Sequence, residues 1–143
     1  MVYWDELEGK ALDNRARRLQ MVVLRFAATR VSPERLDQCA ESEPRVALAY
    51  AAKSLTPKRL DWCAKEWPTT ALEYAAEQLT PERLYRCASE APRSALVYAS
   101  TLITADRLDW CAKEWPWLAL EYAAELLTPE RLRMCAFKVL VDN

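Results

Sequence analysis

The sequence predicts an all-α fold, an α-solenoid of 24-residue helix-turn-helix repeats. Three observations carry this reading. Four complete units align end to end without a gap. Each unit carries punctuation at two fixed positions, which divides it into two segments of helical composition. The chain also holds a single glycine, Gly9, so it is nearly free of the residue that supplies positive φ to tight β-hairpins and phosphate-cradling loops.

The units are 32–55, 56–79, 80–103 and 104–127. A degenerate unit and N-terminal cap precede them at 1–31, where LRFAA (24–28) falls in register with LAYAA (48–52). A half unit, TPERLRMCAFKVLVDN (128–143), follows as a C-terminal cap, and the whole is one domain, 1–143. The second and fourth units agree at 19 of 24 positions, so a 48-residue duplication overlies the shorter one.

Ser32, Thr56, Thr80, Thr104 and Thr128 are expected N-caps, whose hydroxyls satisfy otherwise unpaired backbone N–H groups. Pro33, Pro57, Pro81 and Pro129 follow at the first helical position, where no N–H is needed, and Ala105 takes that place in the fourth unit. A second column, Pro44, Pro68, Pro92 and Pro116, drives the residue before it out of the α region. The first helix is therefore expected to span about nine residues and the second about twelve. Neither length is stable alone, so each unit depends on its neighbours to cover its apolar face.

On a 100° wheel the first helix buries Leu60, Cys63, Ala64 and Trp67, with Trp115 equivalent to Trp67. The second helix buries Ala71, Leu72, Ala75 and Leu79. Its tyrosines, Tyr50, Tyr74, Tyr98 and Tyr122, lie on the flank with Phe26 in register, their rings expected against the adjacent unit. Glu73, Glu77, Glu121 and Glu125 form an acidic stripe on its opposite face. Trp62 and Trp110 point outward from the first helix, with Gln38, Arg86 and Met134 in the same column. Trp117, near the start of the fourth unit's second helix, extends an aromatic cluster around Trp110 and Trp115.

Function follows from what is missing as well as what repeats. The chain has no histidine, so no imidazole base, no His-ligated metal and no triad of the usual kind. Its carboxylates recur with the repeat instead of breaking it at one place. The reading is non-enzymatic, with no cofactor and no metal. The five cysteines, Cys39, Cys63, Cys87, Cys111 and Cys135, stand one layer apart, about 10 Å, which is too far for a disulfide, and read as core packing. An odd cysteine count, no apolar leader at the N-terminus and no membrane-length apolar run point to a reducing, cytoplasmic setting.

A complete arginine column, Arg35, Arg59, Arg83, Arg107 and Arg131, needs a partner at each layer. It fits a ladder of ion pairs within the stack, or a row of contacts to a nucleic acid. The formal net charge of -1 and the glutamate stripe weigh against the latter. The expected function is protein binding, as an adaptor or small inhibitor. The candidate contact residues are Trp62, Trp110, Arg86, Trp117, Glu73, Glu77, Glu121 and Glu125. A further possibility is homo-oligomerisation through the apolar tail, Phe137, Val139, Leu140 and Val141.

The block ALEYAAEQLTPERLYRCASEAPRSALVYAS (71–100) resembles the bacterial helical repeat catalogued as domain of unknown function 4116. That repeat alternates A-L-x-Y-A-S segments with a short leucine-bearing helix at a similar period. The resemblance covers 32–127 and implies the helical-hairpin fold, with no activity attached.

Overall fold

A computed structural model of the chain describes residues 17–142. Of the expected N-terminal cap and degenerate unit, 1–31, residues 1–16 lie outside the described residues. Ten α-helices follow one another: α1 (helical residues 17–26), α2 (Pro33–Ser42), α3 (Pro44–Tyr50), α4 (Pro57–Glu66), α5 (Pro68–Tyr74), α6 (Pro81–Glu90), α7 (Pro92–Tyr98), α8 (Ala105–Glu114), α9 (Pro116–Tyr122) and α10 (Pro129–Asp142). Even-numbered helices from α2 to α10 stack in one row and α3, α5, α7 and α9 in a second. Each unit packs on the units next to it in sequence, which is the solenoid architecture.

The caps form as their residue types dictate. Ser32 Oγ accepts the N–H of Arg35, and Thr56, Thr80, Thr104 and Thr128 each accept the N–H three residues on, at 3.1–3.3 Å. At the other end of each first helix, the residue before proline (Glu43, Trp67, Ala91 or Trp115) sits near φ -132, ψ 65–69. Its N–H still closes the first helix, as in Trp67 N–H to Cys63 O at 2.9 Å, while its carbonyl opens the second, accepting from Ala71 N–H at 2.9 Å. One residue out of the α region thus joins the two helices.

The second helices are shorter than the sequence suggests, seven residues instead of about twelve. Each ends at its tyrosine. Ala51, Ala75, Ala99 and Ala123 then leave helical geometry at φ -125 to -136, still donating to the carbonyl four residues back. A turn or a 3₁₀ segment (Ala76–Gln78, Ala124–Leu126) carries the chain to the next cap. Alanine has no side chain that would object to this bend, and all four are almost fully buried. Packing against neighbouring layers therefore overrides their high helix propensity. Among the described residues no backbone takes a positive φ, so the whole stack is built without the conformation that glycine supplies.

The core is a column of small and branched side chains: Leu36, Leu60, Leu84 and Leu108 with the Cys-Ala pairs of the first row, and Ala47, Leu48, Ala71, Leu72, Ala95 and Leu96 of the second. These are the residues the periodicity selects.

Candidate interaction surface

The arginine column holds the first-helix row together. Arg83, Arg107 and Arg131 each reach back 22 residues, to one recurring position of the preceding unit. Arg83 grips Asp61 with two bonds, Nε to Oδ1 at 2.8 Å and Nη2 to Oδ2 at 3.0 Å. Arg131 grips Asp109 in the same way at 2.7 and 3.0 Å. The bonds from Arg83 hold the Asp61 carboxyl below its ordinary range and raise the guanidinium in return. Arg59 lies 3.7 Å from Glu41, while Thr56 Oγ1 donates to Asp37 at 2.8 Å. In the remaining interface Tyr85 stands where the others carry aspartate, and Arg107 lies over its ring at 3.8 Å. Arg59 and Arg107 also cover Trp62 and Trp110 of their own helices, at 4.9 and 4.7 Å.

A second set of arginines ties the other side. Arg45 lies 5.0 Å over Trp67 of the following unit, and Arg93 lies 4.9 Å over Trp115. These explain much of the 48-residue period. Units 56–79 and 104–127 supply a tryptophan to the arginine of the unit before and an aspartate to the arginine after. The alternation is in large part a stacking pattern.

Three tryptophans sit differently from the helical-wheel expectation. Trp67 and Trp115, expected on the core side, are each 40% exposed. Both occupy the cap between two helices, at φ near -132, where a 100° progression no longer applies. Trp62, expected to point outward, is half-buried and packs against the core, with Arg59 over its ring. Trp110 is 36% exposed beneath Arg107. A first helix is covered by layers on both sides as well as by its second helix, so its outward strip is narrower than a wheel suggests. Arg86 is exposed and bonded within its own helix to Glu82 at 2.9 Å.

The second-helix row presents the larger aromatic surface. Phe26, Tyr50, Tyr74, Tyr98 and Tyr122 are all exposed, one ring per layer, and Trp117 is more exposed than any other described tryptophan. The tyrosine rings, expected against the adjacent unit with each hydroxyl at a rim, are about half covered, at 47–55% exposure. They form ridges with clefts between them. Glu73, Glu77, Glu121 and Glu125 are exposed as expected, although Glu77 and Glu125 belong to the 3₁₀ segments and not to the helix. Glu73 beside Tyr74 raises that phenol above its ordinary value. Thus the glutamates and the tyrosine row share one face. Trp62 and Trp110 lie on the first-helix row.

The cysteines are core groups. All five are buried and free. The thiols of Cys87, Cys111 and Cys135 donate to Ala64, Ala88 and Ala112 carbonyls of the preceding unit at 3.6–3.9 Å. Burial pushes the thiols of Cys63, Cys87 and Cys111 up to about 11. Among the described residues no group of acidic, cysteine or histidine side chains is arranged to hold a metal, and no helix is long and apolar enough to cross a membrane.

No protein-family model, curated protein or solved structure matches the chain. The functional reading therefore rests on this surface.

Proposed function

We propose that the chain is a non-catalytic protein-binding module, an adaptor or small inhibitor, that engages its partner through the second-helix face. The observation that carries this is the unbroken row of exposed rings from Phe26 to Tyr122, one per layer. Tyrosine and tryptophan offer large contact area with few rotatable bonds and dominate binding hot spots. The five buried free thiols suit a reducing, cytoplasmic setting. A nucleic-acid reading through the arginine column is less well supported, because Arg83 and Arg131 are already committed to carboxylates.

The test is retention of partners from a lysate of the source organism. Replacing Tyr74, Tyr98 and Tyr122 together by Ala should abolish specific retention with the melting temperature little changed. Retention that survives this triple change but is lost on Trp62→Ala with Trp110→Ala would move the surface to the first-helix row.

A second reading, self-association, is favoured by α10. Met134, Phe137 and Val141 are exposed and recur at three- and four-residue spacing along one face. Phe137, 69% exposed, stands where the other units carry Glu41, Lys65, Ser89 and Lys113. Light scattering at rising concentration checks it: a dimer that Phe137→Glu converts to monomer supports it, and a monomer throughout disposes of it.

A further inference from the structure

The tyrosine ridges divide the second-helix face into clefts of different charge. The cleft where unit 32–55 meets the degenerate unit before it, closed off by Tyr74, is lined by Arg25, Phe26, Tyr50 and Lys53 and has no carboxylate. The cleft between units 80–103 and 104–127 sets Glu90 against Arg93, with Tyr98, Trp115 and Tyr122 around them. The central cleft is different. Tyr74 and Tyr98 line it together with Glu73, Glu77, Gln78 and Lys53. Two carboxylates and two rings meet there against one lysine. Neither carboxylate is ion-paired among the described residues.

The rest of the chain shows what such rings accept. Phe26, Tyr50, Trp62, Trp67, Tyr85, Trp110 and Trp115 each have an arginine of the chain itself over the ring, at 3.8–5.2 Å. Tyr74, Tyr98 and Tyr122 have none among the described residues, and of these Tyr74 and Tyr98 line one cleft together, with two glutamates that make no ion pair there. A ring face attracts a cation through its quadrupole, and a carboxylate at its edge adds direct Coulomb attraction.

We propose that the central cleft is a recognition pocket for an arginine side chain on an extended segment of a partner protein. Its guanidinium would lie between the rings of Tyr74 and Tyr98 and bond to Glu73 and Glu77. Lys53 lines the same cleft, and its charge would oppose a bound cation. This deepens the protein-binding reading and rests on it.

The test uses the purified chain and a capped pentapeptide, Gly-Ser-Arg-Ser-Gly, followed by backbone amide chemical shifts. Saturable shifts confined to residues 73–78 and 98 are expected at millimolar peptide. Glu73→Gln with Glu77→Gln should weaken binding about 5-fold to 10-fold at low salt, in keeping with exposed ion pairs. Tyr98→Leu should weaken it about 3-fold to 5-fold. Lys53→Gln should strengthen it about 2-fold. All four residues are exposed, and thermal melts establish that each variant folds. The proposal is overturned if the peptide does not saturate, if the glutamate pair has no effect, if Lys53→Gln weakens binding, or if Gly-Ser-Glu-Ser-Gly binds as well. Should the arginine peptide fail while the triple tyrosine change still abolishes retention of the natural partner, the pocket falls and the binding module stands.

Discussion

Burial holds the core thiols in their neutral form, and that has a pH signature. An unfolded cysteine in this chain titrates near 9.0, whereas Cys63, Cys87 and Cys111 titrate near 11 when folded. The folded state therefore holds those protons more tightly. The stability they contribute is complete below pH 9 and is lost as the pH rises toward 11. Thermal melts across that window should show a falling midpoint. Replacing the three by serine, which keeps a donor but not the acid, should flatten the decline, and an unchanged slope in that variant would assign the effect elsewhere. The ion pairs invite a similar measurement. A double-mutant cycle on Arg83→Ala and Asp61→Ala should give a coupling of about 1 kcal/mol, the range for a paired fork at a partly exposed site. A coupling near zero would leave the bidentate geometry without energetic weight.

At the scale of the element, punctuation was legible and length was not. Thr-Pro starts and the second proline column mark where helices begin, because a cap hydroxyl and a missing N–H act locally. The end of the second helix depends on Ala51, Ala75, Ala99 and Ala123, whose composition argues for more helix and whose packing ends it. That one difference left the tyrosines at the helix end, about half exposed, and moved Glu77 and Glu125 into the following turn. It is why the aromatic face was only partly readable in the sequence. The misplaced Trp67 and Trp115 have the same origin, a helical period carried past a helix end. Ala105 offers a check on the local rules. Its N-cap, Thr104, already sits at φ -66, ψ 156, matching Thr80 at -65, 154 ahead of Pro81. Ala105→Pro should therefore meet no strain and stabilise the chain by about 0.4–1 kcal/mol, chiefly by restricting the unfolded state. Destabilisation in urea melts would mean that the N–H of Ala105 has a partner the fold needs.

For the whole molecule, the consequence is that units are not interchangeable even though their backbones repeat. A solenoid's stability is close to a sum of unit terms and nearest-neighbour terms, so which unit follows which matters. An interface from 32–55 to 56–79, or from 80–103 to 104–127, carries an arginine over a tryptophan. The interface from 56–79 to 80–103 carries Thr69 opposite Ala91 at the equivalent positions. Deleting 80–103 would place unit 56–79 directly on unit 104–127. Trp115 would then face Thr69 and lose its guanidinium. The deletion should cost a layer and one cation–π contact, the latter about 0.5–1 kcal/mol. Thr69→Arg in the shortened chain should recover that part by rebuilding the contact made by Arg45 and Arg93. In the full-length chain the same substitution faces Ala91 and should change stability by less than about 0.5 kcal/mol, as for an ordinary surface site. Chemical denaturation of the four proteins decides the matter. Equal effects of Thr69→Arg in both lengths would mean that the arginine–tryptophan pairs do not set the order of the layers, and would return the 48-residue period to the partner-facing surface.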